Sequence, residues 1–321
     1  MIQNTIVMAN TNTPATPQSR VKIDLKTAQR VFDAYSNVSE ATRNDYKRRI
    51  ADYIDYLNHN GLNQTSLIDY RRSLELDTTK SISTKNKLFI VAKVFSGMLY
   101  NTGTIPMDIT KDISGRTLRG FSQSAKHKKD GITADEVHEI LAYLQSPSNG
   151  ISSRQTIRLA AIFSLLIYQG LRQIELTRLD VADIDLKHGT ALILGKGRDD
   201  REPIALHPHT VEALRLYLTT YNKRSGALFT SESNHGHGER LTTRTIRRLV
   251  TDVYAKLGID NTTHATRHFF TTNMIQAYHG DLLRVAHYTR HKSLEMLQVY
   301  NDAIKAHDDL PNYYKAFNSI V

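Results

Sequence analysis

The stretch His264–Met274 reads HATRHFFTTNM, which sets two histidines four residues apart with an arginine between them. On a helix, His264, Arg267, His268 and Thr271 fall in one angular sector, and Phe270, Met274 and Ala277 form the neighbouring apolar stripe. Two chemistries fit such a face. Histidines at i and i+4 hold zinc in HExxH peptidases, but the glutamate that should follow the first histidine is here Ala265. Zinc also needs a third protein ligand, and the chain has no cysteine to supply one. The pairs HPH at 207–209 and HGH at 235–237 sit in loop-like sequence with no carboxylate pattern beside them. No metal is therefore assigned. A phosphate fits better, because the planar fork of an arginine grips two oxygens at once.

Composition points the same way. Lys and Arg number 42 against 32 acids, a net charge of +10. That balance favours a polyanionic partner, nucleic acid before an acidic membrane. The longest apolar run, IRLAAIFSLLIYQGL, is interrupted by Arg158, Ser164 and Gln169 and is too short to span a bilayer. The lack of cysteine excludes disulfides, thiolate metal sites and a cysteine nucleophile, and is compatible with a cytoplasmic protein. The first residues have no basic start followed by an apolar core, so no signal peptide is expected. Their Asn, Thr and Pro predict a disordered tail over 1–22.

With 321 residues there is room for two domains. Helices are predicted at 24–36 and 39–59, the second with Tyr46, Ile50, Tyr53 and Leu57 on one stripe, Ser39 as N-cap and Gly61 as terminator. SISTKNKLFIVAKVFSGMLYNTG repeats the plan: Leu88, Val91, Phe95 and Met98 are the buried stripe, while Lys85, Lys87 and Lys93 face elsewhere. Together these make a helical domain over 23–115. The segment 116–131 then carries Arg116, Arg119, Lys126, Lys128 and Lys129 against Asp130 alone, without apolar periodicity. It reads as a linker that also straps phosphate. A second domain, 132–321, opens where Thr133 caps a helix with acids in its first turn. It is read as mostly helical, with a hairpin at TALILGKGRDDREPIAL. The fold class is thus mainly α with a small antiparallel sheet.

Further pieces complete the phosphate pattern. YQGLRQIELTRLDVADID places Arg172 after a glycine at a helix break, with Glu175 one turn on to orient a cation. LGKGRDD puts Lys196 in a glycine-flanked turn, and YTRHKSLEMLQVYN gives His291 and then Tyr300 nine positions later. Singly, each has an ordinary use. Arg172 could pair with Glu175 on a helix surface, and Lys196 could be one more lysine in a polar turn. His291 could cap a helix. Tyr300 could be core, sharing a stripe with Leu294, Leu297 and Ile304. Tyr288, Tyr313 and Tyr314 compete with it as nucleophile, and spacing from His291 favours Tyr300.

In order and spacing, GLRQIEL at 170–176, GKG at 195–197, HATRH at 264–268 and the pair His291 and Tyr300 resemble the tyrosine recombinases, the integrase family of Xer, Cre and phage integrases. The resemblance spans nearly the whole second domain and, more loosely, the first. It implies a helical DNA-binding domain and a mixed α/β catalytic domain clamping double-stranded DNA, with no cofactor. It implies catalysis by Arg172, Lys196, His264, Arg267, His291 and Tyr300, with Glu175 and His268 holding them in place. DNA contacts would come from Lys85, Lys87, Arg116, Arg119, Lys126, Lys128 and Lys129. Four copies would act on two recombination sites, the segment after Tyr300 docking on a neighbouring copy. One departure stands out: TRH at 289–291 replaces the usual LGH, so Arg290 occupies a glycine position. Two other readings share parts of the pattern: a DNA-binding protein without chemistry, and a telomere resolvase or type IB topoisomerase.

Overall fold

A computed structural model of the chain describes residues 23–34, 38–122, 131–146, 150, 152–195, 197, 199–233, 236–291 and 293–301. The expected tail over 1–22, Lys126, Lys128, Lys129, Lys196 and the segment from 302 on lie outside these residues. The chain divides into two compact units, 1–124 and 125–321.

Among the described residues the first unit holds four α-helices: α1 (Leu25–Val31), α2 (Glu40–Asn60), α3 (Ser66–Leu76) and α4 (Ile82–Asn101). Serines start two of them. The Ser39 hydroxyl accepts from the Thr42 N–H and the Ser81 hydroxyl from the Thr84 N–H, both at 3.3 Å. Gly61 ends α2 with φ at 81°, a conformation that favours glycine. The expected stripes are buried at Ile50, Tyr53, Leu57, Leu88, Val91 and Phe95, with Met98 and Tyr46 packed at the margin. Tyr53 lies at the centre, 4.7 Å from Tyr70 between ring centroids, its hydroxyl 3.2 Å from Ser96 Oγ. α3 was not among the expected helices; it buries Leu67, Tyr70 and Leu74 at helical spacing. α1 is shorter than expected and passes into a single 3-10 turn over Phe32–Ala34.

The linker expected over 116–131 begins on the first unit. Leu118 N donates to Thr110 O, and Asn86 both donates to the Phe121 carbonyl and accepts from the Phe121 N–H. Residues 116–121 are therefore tied to the first unit. Gly120 permits this, because a Cβ there would lie 2.6 Å from Asn86 Oδ1.

The second unit comprises α5 (Ala134–Gln145), α6 (Ser153–Tyr168), α7 (Gln173–Arg178), a sheet, and α8 (Pro208–Thr220), α9 (Thr243–Lys256), α10 (His264–Ala277) and α11 (Leu282–Thr289). Residues 294–301 form a further helical stretch. Thr133 and Glu136 close a reciprocal capping box on α5. The sheet runs β1 (Ile184–Asp185), β2 (Thr190–Leu194), β3 (Arg201–Ala205), antiparallel throughout, so β1 adds a strand to the expected hairpin. Ala191 and Ile193 of β2 face the core. α6 is buried along nearly its whole length and packs between α5, α8 and α10. The architecture is mainly α with a small antiparallel sheet. Among the described residues no helix is long and apolar enough to cross a membrane.

Candidate active site

α6 ends at Gln169, and Gly170 turns the chain with φ at 56°. Only glycine fits there: a Cβ would lie 2.3 Å from Phe270 Cδ1 of α10. The turn delivers Arg172 to the start of α7, where its backbone N–H and its Nη1 both donate to Glu175, at 2.9 and 2.6 Å. Glu175 is fully buried. Burial pushes its carboxyl up, but Arg290, then Arg172, pull it below the ordinary carboxylate range. The surface ion pair considered for Arg172 thus exists, but on a buried carboxylate.

α10 carries Arg267, which is 2% exposed. Its Nη1 donates to Gly170 O at 2.6 Å and its Nη2 to Thr289 O, so the guanidinium joins the α6–α7 turn to the end of α11. Burial first, then the charges of Arg172 and Arg290, bring its pKa down to about 9. The expected apolar stripe is corrected here. Phe270 and Met274 are half-buried and Ala277 is exposed, whereas Ala265, Thr266, Arg267, Thr271 and Ile275 are buried. α10 turns its polar sector inward because the backbone carbonyls of the neighbouring turns satisfy the arginine.

After α11, Thr289 and His291 approach Arg267. The Thr289 hydroxyl donates to Val285 O at 2.7 Å, so it accepts from His291 Nδ1–H at 2.7 Å. That leaves the Nε2 lone pair facing Arg267 Nη2 at 3.5 Å. Burial, then Arg267, Arg172 and Arg290, push the imidazole down to about 3, so His291 is neutral at pH 7. Tyr300 packs its ring with Ile275, Val285 and Leu297, which is the core role considered for it. Its hydroxyl nevertheless points into the site, 3.5 Å from His268 Nε2. Burial raises this phenol to about 12, and Arg267 pulls it back only in part. His264, exposed at the first turn of α10, meets His268 edge-on at 4.9 Å between centroids.

The fold therefore gathers Arg172, Glu175, Arg267, His268, His291 and Tyr300 in one place, with His264 at the rim. Three guanidinium groups converge there, because Arg290 also enters. Its Nη2 lies 3.2 Å from Glu175 Oε2. Sequence reading noticed Arg290 only as a missing glycine. Of the histidine pairs, His207 stacks on Tyr168 at 4.6 Å, an aromatic packing role. Among the described residues no group of three His, Asp or Glu side chains is placed to hold a metal ion.

The first unit carries its own basic groove, of about 810 Å³, lined by Arg71, Arg72, Glu75, Asp112, Arg116 and Arg119. Arg71 and Arg72, adjacent in DYRRSLEL of α3, were not singled out from the sequence. Arg71 lies 4.8 Å over the Phe121 ring. Lys85 donates to Glu75 O at 3.1 Å, and Lys87 is exposed.

Residues 131–307 match the phage integrase family. The chain is similar to tyrosine recombinase XerD of Staphylococcus epidermidis, 24% identical over 84% of this chain and 90% of that protein. It is similar to tyrosine recombinase XerC of Haemophilus ducreyi, 30% identical over 55% of this chain and 56% of that one. In fold it is similar to the XerH site-specific recombinase in its post-cleavage complex with a palindromic difH substrate, with a TM-score of 0.67 and 17% identity over 90% of this chain and 85% of that chain. It is likewise similar to the Tn1549 transposon integrase in complex with transposon right end DNA, with a TM-score of 0.62 and 13% identity over 88% of this chain and 99% of that chain.

Proposed function

This chain belongs to the phage integrase family of tyrosine recombinases, enzymes that cleave and rejoin DNA, and from that premise we propose that it recombines specific DNA sites through Tyr300. The observation that carries the assignment to residues is the convergence of Arg172, Arg267, His291 and Tyr300, from four separate segments, on one buried cationic pocket.

In the proposed reaction, Tyr300 Oη attacks the scissile phosphorus and the bond to the 5′-oxygen breaks. A 3′-phosphotyrosyl link forms and a 5′-hydroxyl leaves. The link conserves the bond energy, so the reverse attack by another 5′-hydroxyl reseals a strand without ATP. With the phenol near 12, only about one molecule in 10⁵ is ionised at pH 7, so a proton acceptor is needed. His268 is within reach, and His264 edges it toward solvent. Lys196, in the chain between β2 and β3, would protonate the departing 5′-oxygen. Arg172 and Arg267 would bind the non-bridging oxygens as their charge grows. Burial, then the arginine charges, hold His291 neutral; a bound phosphate would offset the second of these and favour a protonated His291 that donates to an oxygen.

The first unit would grip the duplex backbone through Lys85, Lys87, Arg71, Arg72, Arg116 and Arg119, with Lys126, Lys128 and Lys129 as the strap between the domains. Four copies on two sites, exchanging strands through a Holliday junction, complete the reading, as does service to a mobile element.

The test is capture in EDTA. The full chain is mixed with a pool of random-sequence duplexes nicked so that the short fragment carrying the freed 5′-hydroxyl diffuses away. Protein-linked DNA is then sequenced and the linked peptide mapped. One recurring sequence on Tyr300 is expected. An adduct on another residue, or one that needs added zinc or magnesium, would overturn the proposal.

A further inference from the structure

Arg290 follows α11 with a backbone in which a glycine would be at ease. Its φ is 55° and its ψ 42°, the left-handed region that side-chain-bearing residues avoid. A non-glycine residue persists in that region only where the structure around it holds it there. The Arg290 side chain runs inward and is only 4% exposed. Its Nη2 faces Glu175 Oε2 at 3.2 Å and the carbonyls of Gln169 and Gly170 at 3.3 and 3.4 Å. Its Nη1 donates to Tyr288 O at 3.2 Å, and its Nε lies 3.8 Å from Glu202 Oε1 of β3.

The charge balance explains what this achieves. Arg172, Arg267 and Arg290 stand against two carboxylates, Glu175 and Glu202. Among the described ion pairs Glu175 would be left with Arg172 if Arg290 were removed, and the buried carboxylate would neutralise the arginine that must meet the phosphate. With Arg290 beneath it, one Glu175 oxygen is shared and the site keeps a net positive charge. The same carboxylate also fixes the Arg172 backbone N–H, so its orientation sets that of Arg172.

We propose that Arg290 is a positioning residue, which shares the Glu175 carboxylate so that Arg172 is held in place and stays available to the phosphate. The inference rests on the proposed phosphate-binding site, but its first readout does not.

That readout is the Glu175 carboxyl itself, followed by ¹³C NMR through a pH titration of the full-length protein. The groups facing it are Arg172 and Arg290, with Arg267, His291 and Glu202 around them. Arg290→Gly suits the left-handed backbone and should fold. Its Glu175 midpoint should move upward, whereas Arg290→Lys, which keeps a charge, should hold it low. The second readout is inorganic phosphate, titrated while the His291 ring is observed. Arg290→Gly should bind it about tenfold more weakly and Arg290→Lys within about threefold of the unsubstituted chain. A Glu175 midpoint unmoved in Arg290→Gly, or phosphate affinity unchanged in it, overturns the proposal. Phosphate that never perturbs His291 even in the unsubstituted chain sinks the site reading instead, and the Glu175 titration still judges Arg290. Should Arg290→Gly lose its fold, Arg290→Lys decides: a raised Glu175 midpoint together with lost phosphate binding overturns the proposal.

Discussion

α4 and α10 both pack against their unit's core, yet they bury opposite kinds of side chain. α4 buries Leu88, Phe89, Val91, Ala92, Phe95 and Leu99. α10 buries Arg267, Thr266 and Thr271 beside Ala265 and Ile275. Apolar burial stabilises α4 directly, at about 25 cal/mol for each Å² removed from water. α10 gains less, because each polar group must recover in the protein the hydrogen bonds it had in water. Arg267 does so on two backbone carbonyls, at the ends of two other segments. The difference teaches where the chain gives up stability for chemistry: one helix holds its unit together, and the other holds a cation ready in a dry place.

The largest effect that would sharpen this contrast is on Tyr300, the proposed nucleophile, which packs against α10. Tyr300→Phe keeps the ring in its cluster with Ile275, Val285 and Leu297 and removes only the hydroxyl. Loss of the covalent DNA adduct, by roughly 10⁴-fold or more, is expected with DNA affinity and melting temperature nearly unchanged. Tyr313→Phe and Tyr314→Phe should still form the adduct. A denaturing gel of a nicked substrate reads all three. An adduct that survives in Tyr300→Phe would make Tyr300 a core residue like those of α4.

The converse substitution is on α4. Phe95 is fully buried and packs against Phe32 and Tyr53 within the first unit. Phe95→Ala should cost the first unit about 3–5 kcal/mol. Urea unfolding measures the loss, and adduct formation by the fraction that remains folded should be preserved. A loss under 1 kcal/mol would mean that α4 is not the stabilising member of the pair.

Acid should separate the two regions next. His291 is held down at about 3, against about 6.5 in an unfolded chain, by burial and by the arginines around it. Its folded pKa is the lower one, so its contribution is fully present above pH 6.5. It is lost as pH falls from there toward 3, because the unfolded state then takes up a proton that the folded state refuses. The ring is partly exposed, so after solvent screening the effect is about 2 kcal/mol or less. Stability of the unsubstituted chain should fall more between pH 7 and pH 5 than that of His291→Asn. Parallel curves would show that the arginines do not act on His291 as described.

Much of this was legible from residue types and spacing. Ser39, Ser81 and Thr133 cap helices because a hydroxyl in that position satisfies an orphan N–H, a purely local effect. The segments bearing Arg172, Arg267, His291 and Tyr300 could be picked out by their order along the chain. What escaped was tertiary. α3 was passed over because its charged residues obscure the Leu67, Tyr70, Leu74 stripe. The inward turn of the polar side of α10 depends on carbonyls contributed by Gly170 and Thr289, which no pattern within α10 can announce. Arg290 read as an absent glycine because its partner, Glu175, lies 115 residues away.

The smallest effect tests whether polar burial in α10 carries a cost. Thr271 is fully buried, and its hydroxyl has no hydrogen-bond partner among the described residues. Thr266, one turn earlier and equally buried, donates to Thr263 O at 2.9 Å. Valine has nearly the shape of threonine and a similar χ1 preference, so Thr→Val at either position changes polarity more than packing. At Thr271 the substitution removes a desolvated group that makes no bond, and a gain of about 1 kcal/mol is expected. At Thr266 it removes a satisfied one, with an expected loss of about 1 kcal/mol. Urea midpoints of the two variants at pH 7 should therefore shift in opposite directions. If Thr271→Val is the destabilised one, its hydroxyl is bonded in solution, and α10 buries its polar side without the penalty that separates it from α4.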